Sequence, residues 1–289
     1  MTGREEPTDA AILDALNKDP APDPAYPSET LAVAIASGGV NLNAILYTAA
    51  GAGPHPTVLL LHGLPGNEQN IDLAQSMRRA GWNVLTLHYR GSWGTPGAFS
   101  FEHCLQDAGA AVDWLLEAGG DCALRIDSGR LVLMGHSMGG YVAAHVAESR
   151  PSVLGTALIS PANVGVALGL LPRIQAVSVI DDNVGTSEGL HILSGTSPQV
   201  LASEASANTE TWRLENHAPV LASRPLLLIT SDDGFSEGSA ALALATSRTG
   251  SLTQAHFPTD HSYSDHRIAL QIEVLGWLAR LLSSSPQQG

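Results

Sequence analysis

Ser137 lies at the centre of a Gly-x-Ser-x-Gly pentapeptide, residues 135–139. The apolar residues 131–134 before it predict a buried strand, and residues 141–147 after it predict a helix. A strand, this pentapeptide and a helix in succession predict a turn so tight that the serine is strained. Its hydroxyl would stand above the sheet edge and could attack a carbonyl carbon. The helix N-terminus would favour the negative charge that develops during such acyl transfer.

A serine attacks efficiently only when a neighbouring base takes its proton, and that base is usually a histidine held by a carboxylate. Eleven histidines are present. Two of them, His261 and His266, follow the last predicted strand. A late apolar run, residues 225–230, is followed by the adjacent pair Asp232 and Asp233. The sequence therefore predicts a Ser-His-Asp arrangement with two candidates for the base and two for the acid.

Apolar runs alternate with helical patterns from residue 57 onwards, which predicts a mostly parallel, doubly wound α/β sheet with helices on both faces. Two further apolar runs, residues 31–35 and 42–47, flank Gly38-Gly39 and predict an antiparallel hairpin at the N-terminal edge. Strands are predicted at 57–61, 83–87, 131–134, 154–159, 225–230 and 252–257, and helices at about 8–17, 71–80, 101–118, 236–247 and 265–282.

Residues 161–222 interrupt this alternation and lack a clean period. An insertion of this length between two strands is usually functional, and its apolar residues argue against disorder. We therefore predict three parts: an extended N-terminal arm at 1–28, a core made of 29–160 and 223–289, and a small cap at 161–222. The cap is expected to cover the strand ends, where open α/β sheets bind ligands.

The chain resembles the α/β-hydrolase superfamily over about residues 30–283. The nucleophile segment Gly135-His136-Ser137-Met138-Gly139-Gly140 and the chain order serine, acid, histidine carry the resemblance. The segment 62–66 (His-Gly-Leu-Pro-Gly) is similar to the family's oxyanion loop. Tyr89-Arg90-Gly91-Ser92-Trp93-Gly94 resembles the Arg-Gly-x-Gly turn of the serine-aminopeptidase-like and dienelactone-hydrolase-like branches.

The resemblance implies roles for particular residues. His261 occupies the place of the family's triad histidine, with His266 as its rival. Asp233 fits the family's spacing for the acid better than Asp232. The resemblance also implies an oxyanion hole made of the backbone N–H groups of Leu64 and Met138, with Gly63 as the alternative to Leu64.

Composition limits the partners. The chain has 289 residues and a net charge of −14, which should repel nucleic acid and anionic membranes. No stretch predicts a signal peptide or a membrane span, and two cysteines without metal-ligand spacing suit a reducing compartment. We expect a bacterial, cytoplasmic protein that acts on a small acyl substrate and has no cofactor and no metal.

Three hypotheses about function remain open. The first is a serine hydrolase that cleaves a small carboxylic ester through an acyl-enzyme on Ser137. The second is a peptidase or thioesterase with the same triad. A peptidase would need a charged anchor for a peptide terminus, and the cap glutamates that could bind an amine are Glu188, Glu204, Glu210 and Glu215. The third is a ligand-binding member of the fold that does not hydrolyse. Trp93, Phe99 and Trp212 are candidates for either the pocket or the core.

Overall fold

The computed structural model describes residues 9–169, 172–183, 187–247 and 250–284. Residues 1–8 of the predicted arm and residues 170, 171 and 184–186 of the predicted cap lie outside this described part. The strands are β1 (Glu29–Ser37), β2 (Val40–Thr48), β3 (His55–Leu61), β4 (Asn83–Leu87), β5 (Ile126–His136), β6 (Val153–Ile159), β7 (Leu226–Ser231) and β8 (Leu252–Phe257).

Helices alternate with these strands as the sequence pattern predicts. The helices are α1 (Asp9–Asn17), α2 (Ile71–Arg79), α3 (Phe101–Ala118), α4 (Met138–Glu148), α5 (Val164–Ala167), α6 (Arg173–Asn183), α7 (Pro198–Ala207), α8 (Ala218–Leu221), α9 (Ser236–Thr246) and α10 (Arg267–Ser284). Two short 3-10 helices, Ser187–Ile192 and Leu214–His217, lie before α7 and α8. None of the helices in the described part has the length and apolar character needed to cross a bilayer.

The strands form one sheet in the order β1-β2-β4-β3-β5-β6-β7-β8. β1 pairs antiparallel with β2, and β2 pairs antiparallel with β4, which confirms the N-terminal hairpin. The remaining pairs, from β4 to β8, are parallel. The chain runs outward from β3 to β4 and returns to β5 on the other side of β3. Ligands bind at such a reversal, beyond the carboxyl ends of the strands.

Residues of the parallel strands alternate between two buried faces of the sheet. On β3, Leu59 and Leu61 pack in the cluster that contains the apolar side chains of α3 and α4. Val58 and Leu60 pack in the opposite cluster, with side chains of α2 and α10. Because both faces are covered, these strands are continuously apolar in sequence, which is the pattern that made them predictable.

A buried ion pair fixes the loop that follows β4. The Asp107 side chain, on α3, is fully buried and lies 2.7 Å from Arg90 Nε. Asp107 also accepts hydrogen bonds from the Arg90 backbone N–H at 2.8 Å and from Ser37 Oγ at 2.6 Å. These bonds tie β1 and α3 to the loop after β4. The same loop carries Trp93, which contacts the segment 62–66.

Replacing Asp107 with asparagine should lower the free energy of unfolding by about 3–5 kcal/mol, because it leaves the buried Arg90 without its counter-charge. Urea denaturation measures this loss. Asp113→Asn is the matched control, since Asp113 is 55% exposed where it pairs with Arg150 and should cost at most about 1 kcal/mol. Equal losses in the two variants would contradict the role given to Asp107.

Candidate active site

Four loops at the carboxyl ends of the parallel strands surround one cavity of about 260 Å³. Leu64 follows β3, Ser137 joins β5 to α4, Asp233 follows β7, and His261 follows β8. The structure brings all four to the cavity together with Met138. The remaining lining residues are apolar: Phe101, Ala162, Val164, Ala167, Leu168, Ile180 and Phe235.

Ser137 occupies the strained turn that its sequence context predicts. Its backbone has φ 57° and ψ −124°, a conformation that non-glycine residues rarely adopt. A Cβ at Gly135 would lie 1.9 Å from the Gly139 carbonyl oxygen, and a Cβ at Gly139 would lie 2.2 Å from the Leu61 carbonyl oxygen. Both positions therefore require glycine, and the turn holds Ser137 at the start of α4.

His261 and Asp233 form a close hydrogen-bonded pair. His261 Nδ1 lies 2.6 Å from Asp233 Oδ2, and the Asp233 side chain is 2% exposed. Burial alone would raise the pKa of Asp233. Hydrogen bonds from His261, the Phe235 backbone N–H and the hydroxyls of Ser160 and Ser231 outweigh burial and lower this pKa to about 2. Asp233 is therefore ionised above about pH 4, and its contribution to stability is lost as the pH falls towards 2.

The two rival residues are engaged elsewhere. Asp232 is 65% exposed and pairs with His256, Oδ1 to Nε2 at 3.1 Å. His266 Nδ1 lies 2.8 Å from Asp265, its neighbour in sequence. Neither Asp232 nor His266 is among the residues that line the cavity.

Two rings pack against the His261 imidazole. Phe235 stacks on it with a centroid distance of 4.6 Å and an interplanar angle of 26°. His136 lies against it, also at 4.6 Å, with an interplanar angle of 40°. His136 Nε2 is 2.8 Å from the His261 carbonyl oxygen. No local sequence signal marks the contact between His136 and His261, because these residues are 125 positions apart in the chain.

The loop that carries His261 is held from outside the cavity as well. Asp260 Oδ1 accepts hydrogen bonds from the Ser262 and Ser264 backbone N–H groups at 3.1 and 2.9 Å. Arg267 donates to the Ser262 carbonyl oxygen at 2.9 Å and forms an ion pair with Asp72 on α2. The loop is therefore fixed to α2 and α10.

The oxyanion-like segment is held by aromatic side chains. Trp93 Nε1 donates to the Pro65 carbonyl oxygen at 3.0 Å, and His62 packs edge-on against Tyr89 with a centroid distance of 4.7 Å. Gly63 lies against the nucleophile turn, where a Cβ would be 2.8 Å from Ser137 Cβ. This close approach places the segment beside Ser137.

Two buried histidines predict a fall in stability in acid. Burial lowers the pKa of His62 from 6.5 to about 4 and that of His136 from 6.5 to about 3. In the unfolded chain these two histidines are protonated near pH 6.5, whereas in the folded chain they are protonated only at lower pH. Acid therefore favours unfolding. From pH 7 to pH 4, His62 alone should reduce the free energy of unfolding by about 3 kcal/mol.

Urea denaturation at pH 7 and pH 4 measures this loss. In His62→Gln the unfolding free energy should depend less steeply on pH over this interval than in the wild-type protein. A wild-type stability that is constant between the two pH values would contradict the prediction.

The three candidate aromatic residues do not line the cavity. Phe99 is 1% exposed and lies in the core, and Trp212 packs edge-on against Phe101 with a centroid distance of 6.0 Å. Trp93 is 39% exposed and contacts the oxyanion-like segment instead. Phe101 and Phe235 supply the aromatic lining.

Three of the four candidate glutamates have described side chains, and none of these three lines the cavity. Glu204 accepts hydrogen bonds from the Phe101 and Glu102 backbone N–H groups at the start of α3, at 3.0 and 2.9 Å. Glu210 pairs with Arg213, and Glu215 accepts a hydrogen bond from Asn163 at 2.8 Å. The Glu188 side chain lies outside the described part. Within the described residues, no three His, Cys, Asp or Glu side chains form a group that could hold a metal ion.

Curated proteins match segments of this chain. Uncharacterized protein Rv2307c of Mycobacterium tuberculosis (strain ATCC 25618 / H37Rv) is 32% identical over 131 residues, which cover 44% of this chain and 45% of that protein. Lysophosphatidylserine lipase ABHD12 of Rattus norvegicus is 31% identical over 103 residues, 35% of this chain and 24% of that protein. The matched segments thus span less than half the length of these relatives.

The fold matches solved structures over nearly its whole length. The carboxylesterase EstE1, cloned from a metagenomic library, superposes with a TM-score of 0.62 at 21% identity, covering 96% of this chain and 94% of that one. The sequence profile described as "Alpha/beta hydrolase family" matches residues 58–272. That match includes the nucleophile turn, both candidate acids and His261, and it shows that this chain belongs to the alpha/beta hydrolase family.

Proposed function

We propose that this protein is a serine hydrolase that cleaves small, uncharged carboxylic esters through an acyl-enzyme on Ser137. The observation that carries the proposal is the His261–Asp233 pair, 2.6 Å apart, beside the same cavity as the strained Ser137. Because Asp233 is ionised, it fixes the proton on His261 Nδ1 and leaves Nε2 free to accept the Ser137 proton.

The reaction then has two halves. Ser137 Oγ bonds to the ester carbonyl carbon as its proton passes to His261 Nε2, and the alcohol leaves with that proton when the ester C–O bond breaks. Water next gives a proton to His261 Nε2 as its oxygen bonds to the acyl carbon. The bond between that carbon and Ser137 Oγ then breaks, the acid leaves, and His261 returns the proton to Ser137 Oγ. We assign the oxyanion hole to the backbone N–H groups of Leu64 and Met138, both at the cavity.

The cavity lining supports an uncharged acyl group. Apart from Ser137, Asp233 and His261, the lining residues of the described part are apolar. Val164, Ala167 and Ile180 come from α5 and α6, within residues 161–222, so we propose that this insertion acts as the cap that forms one wall of the acyl pocket. A buried ammonium or carboxylate without a partner costs several kcal/mol, which disfavours charged substrates.

The peptidase alternative has less support, because Glu204, Glu210 and Glu215 already have partners and are not among the residues that line the cavity. The net charge of −14 further disfavours anionic substrates and membranes. Cys104 and Cys122 are both unpaired, which suits the reducing cytoplasm that we propose for this protein.

A substrate panel tests this proposal. We expect turnover of p-nitrophenyl butyrate and octanoate, with kcat/KM at least about 100-fold above that for an aminoacyl p-nitroanilide, whose ammonium would lack a partner. Preference for the anilide would favour a peptidase. The absence of turnover and of fluorophosphonate labelling in folded protein would favour a ligand-binding role.

A further inference from the structure

We infer that His136, the residue before the nucleophile, is a positioning residue that holds the His261 ring in register with Ser137 Oγ. The inference rests on the proposed function, since it assigns His261 as the base. It follows from two contacts, a hydrogen bond to the His261 backbone and the packing of the His136 ring on the His261 ring.

The hydrogen bond fixes the tautomer of His136. A carbonyl oxygen can only accept, so His136 Nε2 must carry the proton that it donates to the His261 carbonyl oxygen at 2.8 Å. Nδ1 is then unprotonated, and it is buried without a hydrogen-bond partner among the described residues. A buried acceptor without a partner is unfavourable. Among the described residues, the only hydrogen bond of the His136 ring is therefore the one that Nε2 donates.

The ring contact limits the movement of His261. His136 and Phe235 both pack against the imidazole, and Asp233 holds its Nδ1, so three contacts restrict the rotation of the ring. Since His136 is the last residue of β5 and directly precedes Ser137, one strand end places both the nucleophile and the support of its base. A displacement of His261 by 1 Å would be enough to lower the rate about 100-fold.

His136 also has to remain uncharged. During the reaction His261 becomes an imidazolium, and a second positive charge at a centroid distance of 4.6 Å would oppose this step. Burial, reinforced by the neighbouring His261, keeps the pKa of His136 near 3, so the His136 ring is neutral throughout the neutral pH range. A neutral His136 ring with an N–H donor supports His261 without repelling the positive charge that forms on it.

Three variants test the assignment. His136→Phe keeps an aromatic ring and loses the donor, while His136→Gln keeps an N–H donor. For p-nitrophenyl butyrate we expect kcat of His136→Phe to fall about 10- to 100-fold with little change in KM, and His136→Gln to recover part of that loss. His103→Phe is the matched control, because His103 Nδ1 also bonds to a carbonyl oxygen, that of Ala98 at 2.7 Å, away from the cavity.

A spectroscopic measurement separates positioning from general stability. The Nδ1 proton of His261, in its short hydrogen bond to Asp233, should give a downfield proton resonance that broadens or disappears in His136→Phe and returns in His136→Gln. Thermal melts identify any variant that does not fold. If His136→Phe does not fold, the kcat and the resonance of His136→Gln test the role of the donor. Wild-type kcat and an unchanged resonance in a folded His136→Phe, or a folded His136→Gln that has lost both kcat and the resonance, would overturn the inference.

The inference and the proposed function fail in different ways. If wild-type protein neither turns over esters nor reacts with a fluorophosphonate, the proposed function is wrong. If wild-type protein does both and the folded His136→Phe variant matches it, only the role of His136 is wrong.

Discussion

Ser137→Ala should lower kcat for p-nitrophenyl butyrate by a factor on the order of 10⁴–10⁶ and abolish labelling by a fluorophosphonate. The reason is that alanine cannot form the acyl-enzyme, while the cavity and the His261–Asp233 pair remain in place. The affinity for the ester should change little, because the apolar lining of the cavity is intact. Steady-state kinetics and labelling of purified protein measure both effects.

Ser149→Ala is the matched control, because Ser149 lies at the other end of α4 and its hydroxyl donates to the Val146 carbonyl oxygen. It should keep wild-type kcat and labelling. Ester turnover by folded Ser137→Ala within about 10-fold of wild type would refute a nucleophilic role for Ser137.

Asp233→Asn should lower kcat by about 10⁴-fold with little change in fold. An asparagine amide can donate to His261 Nδ1, which would move the ring proton to Nε2. In that tautomer His261 cannot accept the Ser137 proton. Because the pKa of Asp233 is about 2, the carboxylate is charged across the working range, so the loss should be similar at pH 6 and pH 8.

Asp232→Asn, one position away, provides the control and also tests the rival acid. Asp232 is exposed and pairs with His256, so its loss should leave kcat within about 3-fold of wild type. If Asp232→Asn removed activity and Asp233→Asn did not, the acid would be assigned to the wrong residue.

Much of this fold follows from local patterns. Strands such as β3 and β7 are continuous apolar runs, because helices cover both faces of the sheet, and their positions are therefore visible in sequence. The turn at Ser137 is equally local, since two glycines and a strand-to-helix transition define it. The placement of Asp233 and His261 at one cavity follows from their positions after parallel strands, whose carboxyl ends share an edge.

What the sequence did not predict are contacts between loops. The packing of Phe235 and His136 against His261 depends on how three separate segments meet, and no spacing in the chain encodes that meeting. Glu204 illustrates the same limit. It was a candidate for an amine anchor, yet the fold directs it to the N-terminus of α3, where unpaired backbone N–H groups favour a carboxylate.

The order of the strands in the sheet also has a consequence for folding. β7 lies beside β6, and its other edge is covered only by β8, which the ribosome makes afterwards. Until β8 docks, the apolar strand Leu226–Ser231 presents an open edge that can pair with another chain. β8 itself is a polar outer strand, with Gln254 exposed and His256 paired to Asp232. β8 therefore covers the open edge of β7 and, through the loop that follows it, places His261 at the cavity.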